Sequence, residues 1–511
     1  MRGGLRWLFV VLPVLIVSAP LIYLSPGADE RFKVYLYGAD WVSDPVRAVT
    51  YPLGQTVDFL QLGNFRPIGR IIEHTNFMGT ELLMRLTGGS LNLGLGLVRI
   101  LSLVILACVV YLFVDRVVNA SGLRSRKWGF LAPTAVSFAP FIVAFGSASS
   151  FVIFSGMYIQ SAALTLLLAM IFLRSSLHER RAIRPHEWVV YGLAGLLMAA
   201  TNEIVNIAFP LAVIVFISGM RMAHLRSVRY LWSLAGTRLL ATTSAFFLAV
   251  FVPVRLYILR ACNEGPGACY RNSDVDFSGL TLGVWWKRLT AGLPYSAWKD
   301  ADSFSALVSR GLIAFLVIAL IVFLFVRFGG SHSSNLSRAS TATADSTEAV
   351  NSVARRLLII GLTVVVLAAT LSSLSSGLQL STRNFGWRES ALSATGWSLV
   401  IVALFGYVIA FARTSAVSAL AFALVAGASI PMSTYANTER RDSELSSELR
   451  VADDYLGFEL ASFADNSLSH ANRCKVQRDH LAAYQDLEDQ HSRIMDAVNH
   501  YTETKYGKEF C

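Results

Sequence analysis

The chain has 511 residues, 54% hydrophobic and 15% charged, with a mean hydropathy of +0.52, whereas soluble globular chains carry about 25% charged residues. That much apolar surface excludes a water-soluble fold, and runs of about twenty apolar residues match helices crossing a bilayer rather than the alternating segments of a barrel. The net charge of +10 does not point to nucleic acid, because arginines and lysines sit in short segments between apolar runs instead of interleaving with aromatics. The expected fold is all-α, a polytopic transmembrane helical bundle.

The first apolar run, Leu5 to Leu24, follows Met-Arg-Gly-Gly-Leu-Arg, which by the positive-inside rule leaves the N-terminus in the cytoplasm. A cleaved signal peptide is the rival reading, with Ser25-Pro26-Gly27-Ala28 a poor cleavage site. Both readings put residue 30 onward outside. Further runs near 95–114, 130–148, 157–173, 188–200, 204–218, 239–258, 307–327, 357–376, 391–412 and 415–432 bring the expected spans to about 11. The segments then assigned to the cytoplasm, 115–129, 174–187 and 219–238, are all basic, and 329–356 reads as a flexible Ser/Thr/Ala-rich linker.

The stretch 188–218 has basic flanks and must leave and return within 31 residues. Each arm then reaches only about 20 Å, so the tip, Thr201-Asn202-Glu203, is expected to stop inside a core about 30 Å thick, facing protein or a water-filled cavity. Asn202 and Glu203 there are candidate substrate contacts, with a polar helix–helix clamp as the alternative.

The first outer loop, 25–92, is too long for a connector. Two interface helices are expected in it. One runs from Asp44 to Leu60, opened by Asp44-Pro45 as N-cap and first helical residue, and the other from Arg66 to Leu86. The second outer segment, 259–306, gathers Trp285, Trp286, Tyr295 and Trp298, expected as headgroup anchors. The short segment 377–390 holds Arg383, Trp387, Arg388 and Glu389. The polar tail, 436–511, reads as a small extracytoplasmic helical hairpin whose His470, His480, His491 and His500 look like solvated-face residues, so that residues 1–435 form the membrane domain.

Cys108 lies in an apolar run, while Cys262, Cys269, Cys474 and Cys511 lie in polar segments; an even outer set points to disulfides in an oxidising compartment, and the last two could close the tail. No CxxC spacing suggests zinc, and no P-loop, Rossmann fingerprint, HExxH or GxSxG occurs. The sequence requires no cofactor, and no feature supports a divalent metal.

The first outer loop nevertheless concentrates chemistry: Asp40 and Asp44, Arg66 and Arg70, then Glu73 and His74. A carboxylate there can take a proton from an acceptor hydroxyl, and arginines can hold a departing lipid-linked phosphate. For single residues, helix capping by Asp44 and snorkelling by Arg66 and Arg70 are ordinary alternatives.

In its cytoplasmic N-terminus, acid-bearing first outer loop, paired interface helices and many spans, the chain resembles the GT-C superfamily of membrane glycosyltransferases over roughly residues 1–435. The resemblance implies an inverting transfer of sugar from a polyprenyl-phosphate donor to an extracytoplasmic glycan, lipid or protein in the cell envelope. It makes Asp40 the general base, with Asp44 the alternate, although the adjacent Asp-Asp or Asp-x-Asp of that family is absent. Arg66, Arg70, Arg383 or Arg388 would hold the leaving phosphate. The implied partners are the bilayer, the lipid-linked sugar and a glycan or glycolipid acceptor. The charge asymmetry and outer cysteines fit a bacterial plasma (inner) membrane, with the C-terminus outside. A polysaccharide polymerase resting on Arg383 and Arg388, or a lipid-linked glycan flippase or transporter, is the alternative.

Overall fold

The computed structural model describes residues 3–24, 27–88, 90–121, 123, 128–146, 149–220, 228–263, 277–328, 343–375, 379, 387–411, 415–463, 470–484 and 487–511. Every regular element among them is a helix. In chain order these are α1 (Gly3–Ser18), α2 (Ala28–Ser43), α3 (Arg47–Gly54), α4 (Thr56–Gln61), α5 (Pro67–Leu86), α6 (Leu91–Ala120), α7 (Trp128–Ser137), α8 (Ser155–Met170), α9 (Pro185–Ala200), α10 (Glu203–Asn206), α11 (Ala208–Ser218) and α12 (Val228–Ser233). They continue with α13 (Ala235–Asn263), α14 (Leu282–Ala291), α15 (Tyr295–Asp300), α16 (Ser303–Ser309), α17 (Leu312–Phe328), α18 (Thr343–Ser373), α19 (Ser390–Phe411), α20 (Ser415–Leu445), α21 (Glu448–Ser462), α22 (His470–Ala483) and α23 (Glu488–Tyr506).

Among the described residues, six helical stretches are long and apolar enough to cross a membrane: Leu91–Ala120, Ser155–Leu173, Ala235–Ala261, Glu348–Ser373, Ser390–Val408 and Ala416–Leu445. α16 and α17 together pass the same test but meet at 90°. Trp7–Tyr23, Phe130–Phe141 and Glu203–Ser218 are apolar but shorter. The expected run 130–148 is not one continuous helix. Pro133 lies inside α7 and Pro140 in the 3-10 turn Ala139–Phe141, where a missing N–H and ring sterics end the helix. The freed backbone is satisfied by α20: Asn437 accepts from Ala144 N–H at 3.0 Å and donates to Ile142 and Val17 carbonyls, while Ser433 donates to Pro140 O at 2.6 Å. Such side-chain repair is what permits broken backbone in an apolar setting.

Arg99 clamps α6 to its neighbours. It is 1% exposed and donates to Leu21 O, to Ser155 Oγ at 2.9 Å and to Val152 O at 2.8 Å. Hydrogen bonds to three segments satisfy a charge that would otherwise be prohibitive to bury.

Among the described residues the first loop contains four helices where two were expected. α2 occupies 28–43, and Asp44 ends it, its N–H bonding Asp40 O, instead of opening the next helix, which begins only at Arg47 behind an N-cap at Val46. The expected helix Asp44–Leu60 is thus divided into α3 and α4, whereas the expected helix Arg66–Leu86 is present as α5. In the segment 277–309, Trp285 donates to Thr370 Oγ1 and Trp298 to Ser433 Oγ, so these indoles fix the segment to the bundle. Trp286 and Tyr295 remain exposed.

After α20 the described residues form three helices, not a two-helix hairpin, and they cover α2. Arg31 meets Asp453 and Tyr484, Asn92 donates to Asp454, and Lys505 Nζ lies 3.5 Å from the buried Glu81. His480 and His491 are buried here, not on a solvated face. His480 Nε2 lies 3.1 Å from Asp453 and its Nδ1 lies 3.0 Å from His491 Nδ1. If His480 Nε2 carries the proton toward Asp453, its Nδ1 accepts and His491 donates. The cause of the difference is tertiary: packing on α2 encloses a helix face whose composition is polar. Cys474 and Cys511 form a disulfide across the tail. Cys108 is free. Cys269 and the Cys262 side chain lie outside the described residues.

Candidate functional site

Of the residues singled out in the first loop, Arg66, Arg70, Glu73 and His74 gather along the start of α5, and Arg66 there meets the tip between α9 and α10. Pro67 fits the first turn of α5, where its missing N–H costs nothing. The junction is close: Gly69 N–H donates to Thr201 O at 3.1 Å, and a Cβ on Gly69 would stand 2.3 Å from that oxygen. Only glycine lets the two backbones approach so far.

That approach sets Arg66 against Glu203, Nη2 to Oε1 3.3 Å, with the Glu203 side chain 36% exposed. Tyr158, in the first turn of α8, hydrogen-bonds Arg66. Burial pulls the Arg66 pKa down, but Glu203, Tyr158 and Glu73 together outweigh it and hold it above the ordinary arginine value. Arg255 and Arg388 also lie near enough to act on the Glu203 charge, and the Arg388 guanidinium stands 5.6 Å from the Tyr158 ring centroid. The site is cationic on balance. Asn202 is committed elsewhere: its Oδ1 caps α10 at Val205 N and its Nδ2 donates to Ser161 Oγ at 2.6 Å, the clamp arrangement.

One turn further along α5, Glu73 receives Lys33 Nζ at 2.8 Å and Arg70 Nη1 at 3.1 Å. Burial would raise the Glu73 carboxyl, but Lys33 and Arg70 overcome that and hold it at about 2. Arg70 also covers the Phe59 ring at 3.9 Å. The Nε atoms of both Arg66 and Arg70 are buried without a hydrogen-bond partner. His74 accepts from Trp41 Nε1 at 3.0 Å within a nest of Tyr37, Tyr51 and Phe77. Burial pushes its pKa down to about 4, against the pull of Glu73, so it is a neutral hydrogen-bond acceptor at neutral pH.

Asp40 sits beside Trp41 on α2 and turns toward the tail, its Oδ2 3.2 Å from His500 Nε2 on α23. Among the described residues its side-chain contact is with His500 and not with Arg66 or Arg70. Asp44 is half-exposed at the end of α2, 4.0 Å from Arg47, and takes no part in the cluster. Arg383 lies outside the described residues.

Lys33, Tyr158, Arg255 and Glu30 escaped the sequence reading, while His500, read there as a solvated-face residue, also meets Asp40. An arginine inside an apolar run was a usable signal for Arg255, since intramembrane charges are rare and functional by default. Glu30 had none. Its carboxylate accepts from Phe154 N–H at 2.9 Å, where Phe154 takes a left-handed φ of 46° ahead of α8. Burial raises the Glu30 carboxyl to about 7, against Arg99 and that N–H. Among the described residues, no three His, Cys, Asp or Glu side chains are grouped to hold a metal. No protein-family model, curated protein or solved structure matches the chain.

Proposed function

We propose that this chain is a multi-pass membrane glycosyltransferase that moves a sugar from a polyprenyl-phosphate donor to a hydroxyl-bearing acceptor outside the membrane. The observation that carries the reading is the meeting of Arg66 with Glu203 and Tyr158 at the α5–hairpin junction, with Arg388 and Arg255 beside it. Cations converging on a polar tip between apolar helices suit a phosphate whose lipid tail stays in the bilayer. In this reading the short and bent helices complete about 11 crossings, with the N-terminus inside a plasma membrane and the tail outside.

The acceptor oxygen bonds to the anomeric carbon with inversion as the bond from that carbon to the phosphate oxygen breaks. Asp40 takes the hydroxyl proton, and the phosphate leaves as polyprenyl phosphate, its charge held by Arg66, Arg70 and Arg388. Glu203 orients Arg66 and stands open to sugar hydroxyls. His500 brings the tail to the base and so to the acceptor.

Loss of a general base costs about 10²- to 10⁴-fold. Asp40→Asn in membranes, with radiolabelled polyprenyl-phosphate sugars as donors, is expected to lose transfer on that scale while the protein remains folded. Undiminished transfer would remove Asp40 from the mechanism. A second reading, a polymerase acting on lipid-linked glycans, draws on Arg388 beside Tyr158. It predicts that Arg388→Lys is more damaging than Asp40→Asn.

A further inference from the structure

At the end of the bundle away from α2 and α5, two adjoining cavities open between the last turn of α6, the segment after α8, and α18. The larger, about 580 Å³, is walled by Leu167 and Ile171 and carries Arg116, Arg174 and Ser176 at its polar side. The smaller, about 210 Å³, shares Leu173 and Ser175 with it and adds His178, Gly219 and Arg356. Neither is lined by an Asp or Glu among the described residues.

Arg356 is the unusual member. It is 6% exposed and donates from Nη1 to Ser121 Oγ at 3.0 Å, while its Nε is buried with no partner. No carboxylate pairs with it among the described residues. Its Nη2 lies so close over Gly219 that a Cβ there would be 2.7 Å away. Arg116 and Arg174 are exposed and form no ion pair among the described residues. The neighbouring Asp115 accepts from Asn119 instead. A buried guanidinium with an unmet donor is costly unless something anionic completes it.

We propose that this pocket binds the phosphate headgroup of an anionic phospholipid. The three guanidiniums and the serine hydroxyls match phosphate oxygens, and the wall of Leu167, Met170 and Ile171 matches acyl chain, which a soluble anion would leave unused. The site is separate from the sugar-transfer reading, because Tyr158 in the first turn of α8 and Met170 at its end are about 18 Å apart along that helix.

The test titrates full-length protein in neutral detergent with short-chain phosphatidylglycerol, short-chain phosphatidylcholine and inorganic phosphate, reading thermal stabilisation. The anionic lipid is expected to stabilise the wild type most strongly. Arg356→Gln is expected to weaken this response, and the exposed pair Arg116→Gln with Arg174→Gln, whose folding is not at risk, to weaken apparent affinity about tenfold. An unchanged response in the double variant overturns the site. Equal stabilisation by phosphatidylcholine overturns the anionic preference, and equal stabilisation by inorganic phosphate overturns the lipid as occupant.

Discussion

Arg66 Nη2 lies 3.3 Å from Glu203 Oε1, so the loop that precedes α5 is tied to the tip of the short hairpin. Removing one partner strands the other in a largely enclosed place, whereas removing both relieves it. Partial exposure of Glu203 limits the cost, so Arg66→Gln and Glu203→Gln should each destabilise by about 1 to 3 kcal/mol, less than a fully buried pair. The double variant should recover part of that stability in a thermal melt yet remain inactive in sugar transfer, because the leaving phosphate has lost Arg66. Full recovery of both would make the pair purely structural.

Gly69 is the contact on which that junction depends. A methyl group at this position meets the Thr201 carbonyl at 2.3 Å and must push α5 away from the tip. Gly69→Ala should cost about 1 to 3 kcal/mol through overpacking. Gly79, where no atom stands within 4 Å of an added Cβ, is the control on the same helix: Gly79→Ala should be neutral or stabilising by melting temperature.

His500 tests whether the tail participates in transfer. Its Nε2 stands 3.2 Å from Asp40, but the ring is 41% exposed. His500→Ala should therefore leave the melting temperature nearly unchanged, as expected of an exposed pair. It should raise the apparent KM for acceptor more than it lowers kcat. A drop in kcat as deep as that of Asp40→Asn would mean the imidazole itself carries the proton.

Glu30 sets a pH dependence. Its carboxyl is raised from 4.5 to about 7, so the fold favours the protonated form. Its contribution is full below about pH 4.5 and is lost as the pH rises through 7, at a total of about 3 kcal/mol. Glu30→Gln keeps an acceptor for Phe154 N–H but does not ionise. The two proteins should melt alike near pH 4.5, and the variant should become the more stable above pH 7. Parallel melting curves across that range would show that Glu30 titrates normally.

Much of the helical layout was legible from composition along the chain, and its failures have identifiable causes. The runs at 95–114, 157–173, 239–258 and 391–412 are helices because a long apolar stretch without water must satisfy its backbone internally. The run at 130–148 looked the same by hydropathy, but Pro133 and Pro140 divide it, and only Asn437 and Ser433 from a distant helix make the break tolerable. α2 went unread because it is enclosed between α5 and the tail, which removes the one-sided apolar stripe by which interface helices are recognised.

The candidate site divides in the same way. Hydropathy, basic flanks and the spacing of 188–218 are local and add up residue by residue, so the chain alone settled its helical, membrane-compatible character and marked the 201–203 tip as polar. Which charges meet is not additive. Asp40 with His500, Arg66 with Glu203 and Glu73 with Lys33 are pairs that exist only once helices remote in sequence have packed. An ion pair depends on a separation of a few ångströms, and that separation is fixed by close approaches such as Gly69 on Thr201, not by the identity of the charged residues themselves.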